Sequence, residues 1–193
     1  MLAAIILSGG ASRRMGSPKA LLSYQGRPFL EHLLNVVRHP KIGVRRVVLG
    51  ADADPIAKEV NLASDEIVIN AEWEKGQLSS IQAALRSLPP QTDGIVLLLI
   101  DHPLISSALV GELVESFYNS SKSIVLPVYE GRRGHPVIFS SALYQDLMSA
   151  PLETGARSVV WEHSAEVQTV QTNEEGCVLN LNDPDTMQRA LGV

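Results

Sequence analysis

A chain of 193 residues, 45% of them hydrophobic and 19% charged, has the size and composition of one globular domain. Its formal net charge of −5 argues against a surface that attracts nucleic acid, so any anion site must be a local basic patch. A single cysteine, Cys177, excludes an internal disulfide and a cysteine-based zinc site, which fits the reducing cytoplasm.

Short apolar runs alternate along the chain with segments of helical periodicity. The runs are rich in β-branched residues, and several are apolar throughout, as is typical of strands buried on both faces. The predicted strands are 2–7, 45–50, 66–70, 95–100 and 123–128, and the predicted helices are 28–39, 77–88 and 106–120, the last capped by Ser106 or Ser107. This alternation predicts an α/β fold with a mostly parallel sheet.

The pattern becomes less regular after residue 128. A turn and short strand are predicted for 131–140, short helices for 141–150 and 154–163, a strand for 165–172 and a final helix for 183–192. No apolar run approaches the roughly 20 residues of a membrane-spanning helix, and no basic residue precedes the first apolar run. We therefore expect neither membrane association nor a secretory signal.

The first predicted strand runs into LSGGASRRMGSPK, residues 7–19, a segment with three glycines, two arginines and a lysine. Glycine lets the backbone approach a ligand, and backbone amides, guanidinium and ammonium groups suit phosphate oxygens. The spacing differs from the Rossmann and Walker patterns, because five residues separate Gly10 from Gly16 and Lys19 follows three later. A solvated basic turn is the alternative, but this combination directly after a first strand favours a phosphate-binding loop.

Ligands of open α/β sheets bind at the carboxyl ends of the strands, so the polar residues that follow each predicted strand are candidates. Asp101 directly follows the run at 95–100 and precedes Pro103 by two positions. A carboxylate there suits Mg²⁺, which completes its coordination with phosphate oxygens and water. A turn cap before Pro103 is the alternative role.

The first loop, LSGGASRRMGSPKALL, resembles the L-x-x-G-x-S-x-R-M-G-x-x-K signature of the MobA-like nucleotidyltransferases. These enzymes couple nucleoside triphosphates to phosphorylated acceptors. The resemblance runs from residue 2 to about residue 187. It implies a Rossmann-like three-layer α/β/α fold of the nucleotide-diphospho-sugar transferase type. It also implies nucleotide binding by Leu7, Ser8, Gly9, Gly10, Ser12, Arg13, Gly16 and Lys19, and by Gly76, Ser79 and Ser80 in a later strand–helix turn.

The same resemblance implies Mg²⁺ as cofactor, with Asp101 as a metal ligand and Arg13, Lys19 and Asp101 as the catalytic residues. LNLNDPDT, residues 179–186, resembles the family's N-I-N-T-P-E-D segment and places Asn182 at the position of the second ligand. Asp183 stands where threonine is usual, so it could assist or replace Asn182. The Asn-Asp-Pro sequence is also a helix start, and both roles can share one turn.

The acceptor site is expected at Arg132, Arg133, Gly134, His135 and Pro136 of GRRGHP, where the two arginines and His135 would form a second cationic patch. A turn that simply enters a strand, with His135 exposed, is the alternative. The resemblance implies a phosphorylated pterin, the molybdenum cofactor, as acceptor and an apo-molybdoenzyme as a further partner. Residues 1–193 would then be one nucleotidyltransferase domain. Residues 1–128 would be its nucleotide-binding half, and 129–193 its acceptor-binding and metal-completing half.

The sequence resembles two subfamilies that use different nucleoside triphosphates, so the base of the donor nucleotide is open. The first loop, LSGG, is closer to the L-A-G-G of the guanylyltransferases, whereas GQLSS, GRRGHPVIFS and ETGARSVV resemble segments of the MocA-type cytidylyltransferases. Three segments against one favour CTP, with GTP as the alternative. A sugar- or polyol-phosphate nucleotidyltransferase and a non-catalytic molybdoenzyme chaperone are further alternatives.

Overall fold

The computed structural model describes residues 1–11 and 16–191, and in this part of the chain eight strands form the main sheet. A separate hairpin pairs two further strands. The strands in chain order are β1 Leu2–Ser8, β2 Ser23–Tyr24, β3 Arg27–Pro28, β4 Ile42–Leu49, β5 Ile67–Ile69, β6 Gly94–Leu99, β7 Ile124–Tyr129, β8 Arg132–Arg133, β9 Val137–Ser140 and β10 Val167–Gln171.

The sheet is mostly parallel and has the order β10-β7-β9-β6-β1-β4-β5, with β8 paired to β7. β1 lies between β4 and β6, parallel to both, and every residue of β1 and β6 is buried. β9 is antiparallel to both of its neighbours, β6 and β7. Because β9 joins β6 to β7, strands from both predicted halves of the chain share one sheet.

Helices cover both faces of the sheet, which confirms the predicted three-layer α/β/α fold. The helices are α1 Phe29–Val36, α2 Ala53–Glu59, α3 Gln77–Arg86, α4 Ser107–Asn119, α5 Tyr144–Ser149, α6 Ala156–Glu162 and α7 Pro184–Leu191. α1, α2 and α4 bury apolar side chains against one face, and α3, α5 and α6 against the other. Among the described residues, no helix is both long and apolar enough to cross a bilayer.

The sequence predicted the long elements and missed several short ones. Ser106 caps α4 as expected, because its hydroxyl accepts a hydrogen bond from the Leu109 N–H at 3.1 Å. The β2–β3 hairpin and α2 were not predicted. α2 is only seven residues long and carries Pro55 in its first turn, where proline is tolerated but weakens the helical signal.

β6 and β9 approach each other closely at Gly94, the first residue of β6. A Cβ atom on Gly94 would lie 2.4 Å from the carbonyl oxygen of Phe139 in β9. We expect Gly94→Ala to lower the free energy of unfolding by about 1–3 kcal/mol, because neither strand can move without disturbing the sheet. Chemical denaturation measures this change from the transition midpoint.

Gly111→Ala is the matched control for this experiment. Gly111 lies inside α4, and the nearest atom to an added Cβ is 3.9 Å away. Since alanine favours a helix interior over glycine, this variant should be as stable as the parent or up to about 1 kcal/mol more stable. Equal stability of the two alanine variants would contradict the close approach of β6 and β9.

Candidate active site

The loops that follow β1 and β6 open onto one cavity of about 350 Å³, called here the first cavity. They lie side by side because Leu7 pairs with Leu99 in register and the Ile100 N–H donates to the Leu7 carbonyl at 3.1 Å. From the predicted phosphate loop, the cavity is lined by Leu7, Gly9, Gly10 and Lys19. Asp101 lines it from the end of β6. The two separate sequence signals therefore meet at one place.

Other predicted nucleotide-binding residues take different positions. Gly76 and Ser80 line the first cavity from the start of α3, whereas Ser8 and Ser79 are buried and are not part of its lining. Gly16 is exposed, has a φ of +69° and is also outside the lining. Ser12 and Arg13 lie outside the described residues.

A segment late in the chain returns to this cavity. The Leu181 N–H donates to the Asp101 carbonyl at 2.8 Å, and the ammonium of Lys19 donates a hydrogen bond to Oδ1 of Asn182. The amide oxygen of Asn180 is buried and has no hydrogen-bond partner among the described residues. The first loop, the end of β6 and the 180–182 segment are thus brought together as the resemblance implied.

Asp183 has a structural role in this geometry. Its Oδ1 accepts from the Thr186 N–H at 2.8 Å, and its Oδ2 accepts from the Thr186 hydroxyl at 3.0 Å. These hydrogen bonds cap α7 and lower the pKa of the Asp183 carboxyl, the backbone bond being the larger cause. The alternative predicted for this turn, a helix start, is therefore present.

The oxygen donors near Lys19 suit a hard divalent cation. Asp101 offers a carboxylate whose side chain is 20% exposed, and Asn182 offers an amide oxygen. In the described part of the chain, no three His, Cys, Asp or Glu side chains lie close enough to hold a metal ion. Mg²⁺ commonly binds through one or two carboxylates and takes its remaining ligands from phosphates and water, so this donor set fits it.

Asn70 organises the wall of the first cavity and was not predicted from the sequence. Its Nδ2 donates to the hydroxyls of Ser79 at 2.9 Å and Ser80 at 3.0 Å, and its Oδ1 accepts from the Glu72 N–H at 3.0 Å. The Ser79 hydroxyl in turn donates to the carbonyl of Gly76 at 2.7 Å. Ser79 thus holds the turn, while Ser80 faces the cavity. A polar residue directly after the strand at 67–69 was the available signal.

A second cavity of about 370 Å³ lies beside the first. Arg133, Gly134 and His135 of the predicted acceptor site line it, whereas Arg132 and Pro136 do not. Its opposite wall comes from α6, where the Arg157 guanidinium lies 5.8 Å from the centroid of the Trp161 ring. Sequence reasoning missed this wall, although Arg157 is part of the ETGARSVV segment that resembles the cytidylyltransferases and Trp161 directly follows it.

His135 enters the second cavity as a neutral ring. Burial is the main cause that lowers its pKa to about 3, and the neighbouring His102 adds to the effect. The two rings are 5.1 Å apart, and burial also lowers the pKa of His102, whose Nε2 lies 3.9 Å from Oδ1 of Asp101. The expectation that His135 adds positive charge is therefore corrected: among the described residues that line this cavity, the cations are Arg133 and Arg157.

Comparison with known proteins agrees with this geometry. Residues 4–167 match the family model described as the MobA-like NTP transferase domain. Nicotine blue oxidoreductase of Paenarthrobacter nicotinovorans is 28% identical over 97% of this chain and 95% of its own length. A probable molybdenum cofactor guanylyltransferase of Flavobacterium johnsoniae is 26% identical, covering 96% of this chain and 94% of the relative.

Solved structures share the whole fold. The crystal structure of the Mycobacterium tuberculosis Rv0371c homologue from Mycobacterium sp. strain JC1 superposes with a TM-score of 0.84 at 26% identity, covering 99% of this chain and 95% of the other. The match to the family model covers most of the chain, and the resemblance carried by the first loop is confirmed. The protein belongs to the MobA-like NTP transferase domain family and is a nucleotidyltransferase.

Proposed function

We propose that the protein transfers a nucleoside monophosphate from a triphosphate to the phosphate of a phosphorylated pterin and releases pyrophosphate. The main support is that Lys19 and Asp101 line one cavity, which adjoins a second cavity with Arg133 and Arg157. Two adjacent sites with separate cationic groups suit two phosphorylated substrates. The same proposal assigns nucleotide binding to residues 1–128, and acceptor binding and completion of the metal site to residues 129–193.

The reaction requires little proton transfer. An ionised oxygen of the acceptor phosphate forms a bond to the α-phosphorus of the triphosphate. The bond from that phosphorus to the oxygen bridging to the β-phosphate breaks, and pyrophosphate leaves with the electron pair. Catalysis therefore depends on positioning and on neutralising charge on the phosphates.

The first cavity would hold the triphosphate. Backbone amides at Gly9 and Gly10 would face phosphate oxygens, and Lys19, with Arg13 of the first loop, would balance their charge. Asp101 and Asn182 would hold Mg²⁺, with Asp183 contributing through the helix start that presents Asn182. When bound, Mg²⁺ supplies additional neutralisation of phosphate charge. Lys19 would exchange its contact with Asn182 for a phosphate oxygen.

The second cavity would hold the acceptor. Arg133 and Arg157 provide guanidinium groups for its phosphate, and the Trp161 ring offers a flat surface for a planar heterocycle. His135 would contribute a neutral hydrogen-bonding ring. Arg132 and Pro136, which do not line this cavity, would act only through the turn that carries Arg133.

GTP is the donor that the relatives favour, because a guanylyltransferase matches nearly the whole chain. CTP is the second candidate, supported by the segments around Gly76, Gly134 and Gly155 that resemble cytidylyltransferases. A cytoplasmic location and delivery of the product to an apo-molybdoenzyme belong to the same proposal. Sugar- and polyol-phosphate acceptors and a chaperone role are competing proposals, and turnover assays separate all of them.

Asp101→Asn and Lys19→Met should each lower the rate of pyrophosphate release by about 10²- to 10³-fold, because each removes one charged group that acts on the phosphates. The assay uses Mg²⁺, the triphosphate and molybdenum-loaded pterin. Asp65→Asn and Lys58→Met are the matched controls, since both residues are exposed and away from the two cavities. An Asp101→Asn enzyme at full speed would overturn the assignment.

A thermal-shift panel of GTP, CTP, ATP and UTP with Mg²⁺ should show the largest increase in melting temperature with GTP. A ligand at 100 times its dissociation constant stabilises the folded protein by about 2.7 kcal/mol, which is readily detected. A larger shift with CTP would reverse the order of the two candidates. No shift and no pyrophosphate with any triphosphate would favour a different chemistry, such as that named for the Paenarthrobacter nicotinovorans relative.

A further inference from the structure

Gln77 lies where the two cavities meet. It is the first residue of α3, directly after Gly76, whose φ of +97° turns the chain into the helix. Among the described residues that line the two cavities, Gln77 is the one common to both. It stands between Gly76 and Ser79 of the predicted nucleotide-binding segment. The Gly-x-x-Ser pattern of that segment leaves this position undefined, so no sequence signal assigned Gln77 a role.

The side chain of Gln77 is available to ligands. It is exposed and makes no hydrogen bond with any described residue. Gln82, five positions later on the same helix, differs in this respect: its Nε2 donates to the carbonyls of Leu147 at 3.2 Å and Met148 at 3.1 Å. A glutamine amide carries two N–H donors and a carbonyl acceptor, so Gln77 can bind oxygens on more than one phosphate.

We propose that Gln77 is a catalytic residue whose amide donates hydrogen bonds to phosphate oxygens of both substrates at the point of transfer. This inference rests on the proposed function. The acceptor phosphate, held near Arg133 and Arg157, must come within about 3–3.5 Å of the α-phosphorus in the first cavity. The two anionic groups repel each other there, and a neutral donor placed between them offsets that repulsion.

Electrostatics explain why a neutral amide suits this position. A carboxylate would repel both phosphates, and an apolar side chain would remove the hydrogen-bond donor between their oxygens. The amide also adds no charge that could bind one substrate tightly and prevent its release. The expected order of turnover at position 77 is therefore glutamine, then leucine, then glutamate.

Three variants test this role: Gln77→Leu, Gln77→Glu and the control Gln82→Leu. Pyrophosphate release with molybdenum-loaded pterin gives kcat and KM, calorimetry gives the Kd of Mg²⁺-GTP, and thermal unfolding reports stability. Gln77→Leu should lower kcat/KM for the acceptor by about 10- to 100-fold, as loss of a donor to a charged group does. Because the proposed hydrogen bonds form only when both phosphates meet at the point of transfer, its Kd for GTP alone and its melting temperature should stay close to those of the parent. Gln77→Glu should lose more activity.

Gln82→Leu should show the opposite pattern. Its melting temperature should fall, because the variant loses the hydrogen bond from Gln82 to the Leu147 carbonyl. Its kcat/KM should stay within about twofold of the parent, because Gln82 lines neither cavity. Turnover of Gln77→Leu within twofold of the parent would overturn the role of Gln77 and leave the proposed function intact. Equal losses of activity in Gln77→Leu and Gln82→Leu would also overturn it, as an indirect effect of α3. No turnover by the parent protein would overturn both proposals.

Discussion

The parallel pairing of β1 with β6 is the constraint on which the site depends. Because Leu7 pairs with Leu99, the two strands end at nearly the same level of the sheet. Every residue of both strands is buried. Any slip in this register would expose apolar side chains or bury polar ones. The described residues of the glycine-rich loop and Asp101 therefore lie side by side because the core permits no other alignment of these strands.

Two contacts tie the end of the chain to this edge. The Leu181 N–H binds the Asp101 carbonyl, and Lys19 binds Asn182. Asp183 then caps the N-terminus of α7, the helix through which the chain leaves the site. Residues more than 160 positions apart thus complete one cluster of polar groups, and the capping of a helix and the arrangement of the site use the same turn.

The boundary between the two cavities depends on the position of β9. β9 inserts antiparallel between β6 and β7, so the turn that carries Arg133 and His135 returns to the rim beside the first cavity. Burial lowers the pKa of both His102 and His135, so the cations among the described lining residues are Lys19 in the first cavity and Arg133 and Arg157 in the second. Gln77 stands between them as an uncharged group.

The sequence by itself determined the α/β class and the main strands and helices, and it singled out the glycine-rich loop and Asp101 as candidates, because buried strands, caps and glycine-rich loops leave local patterns. The tertiary structure decided what depends on contacts between distant residues. It showed Asn70 organising Ser79 and Ser80, and it assembled the α6 wall of the second cavity. It also made His135 neutral, since burial by distant segments sets a pKa, and no local pattern records that burial.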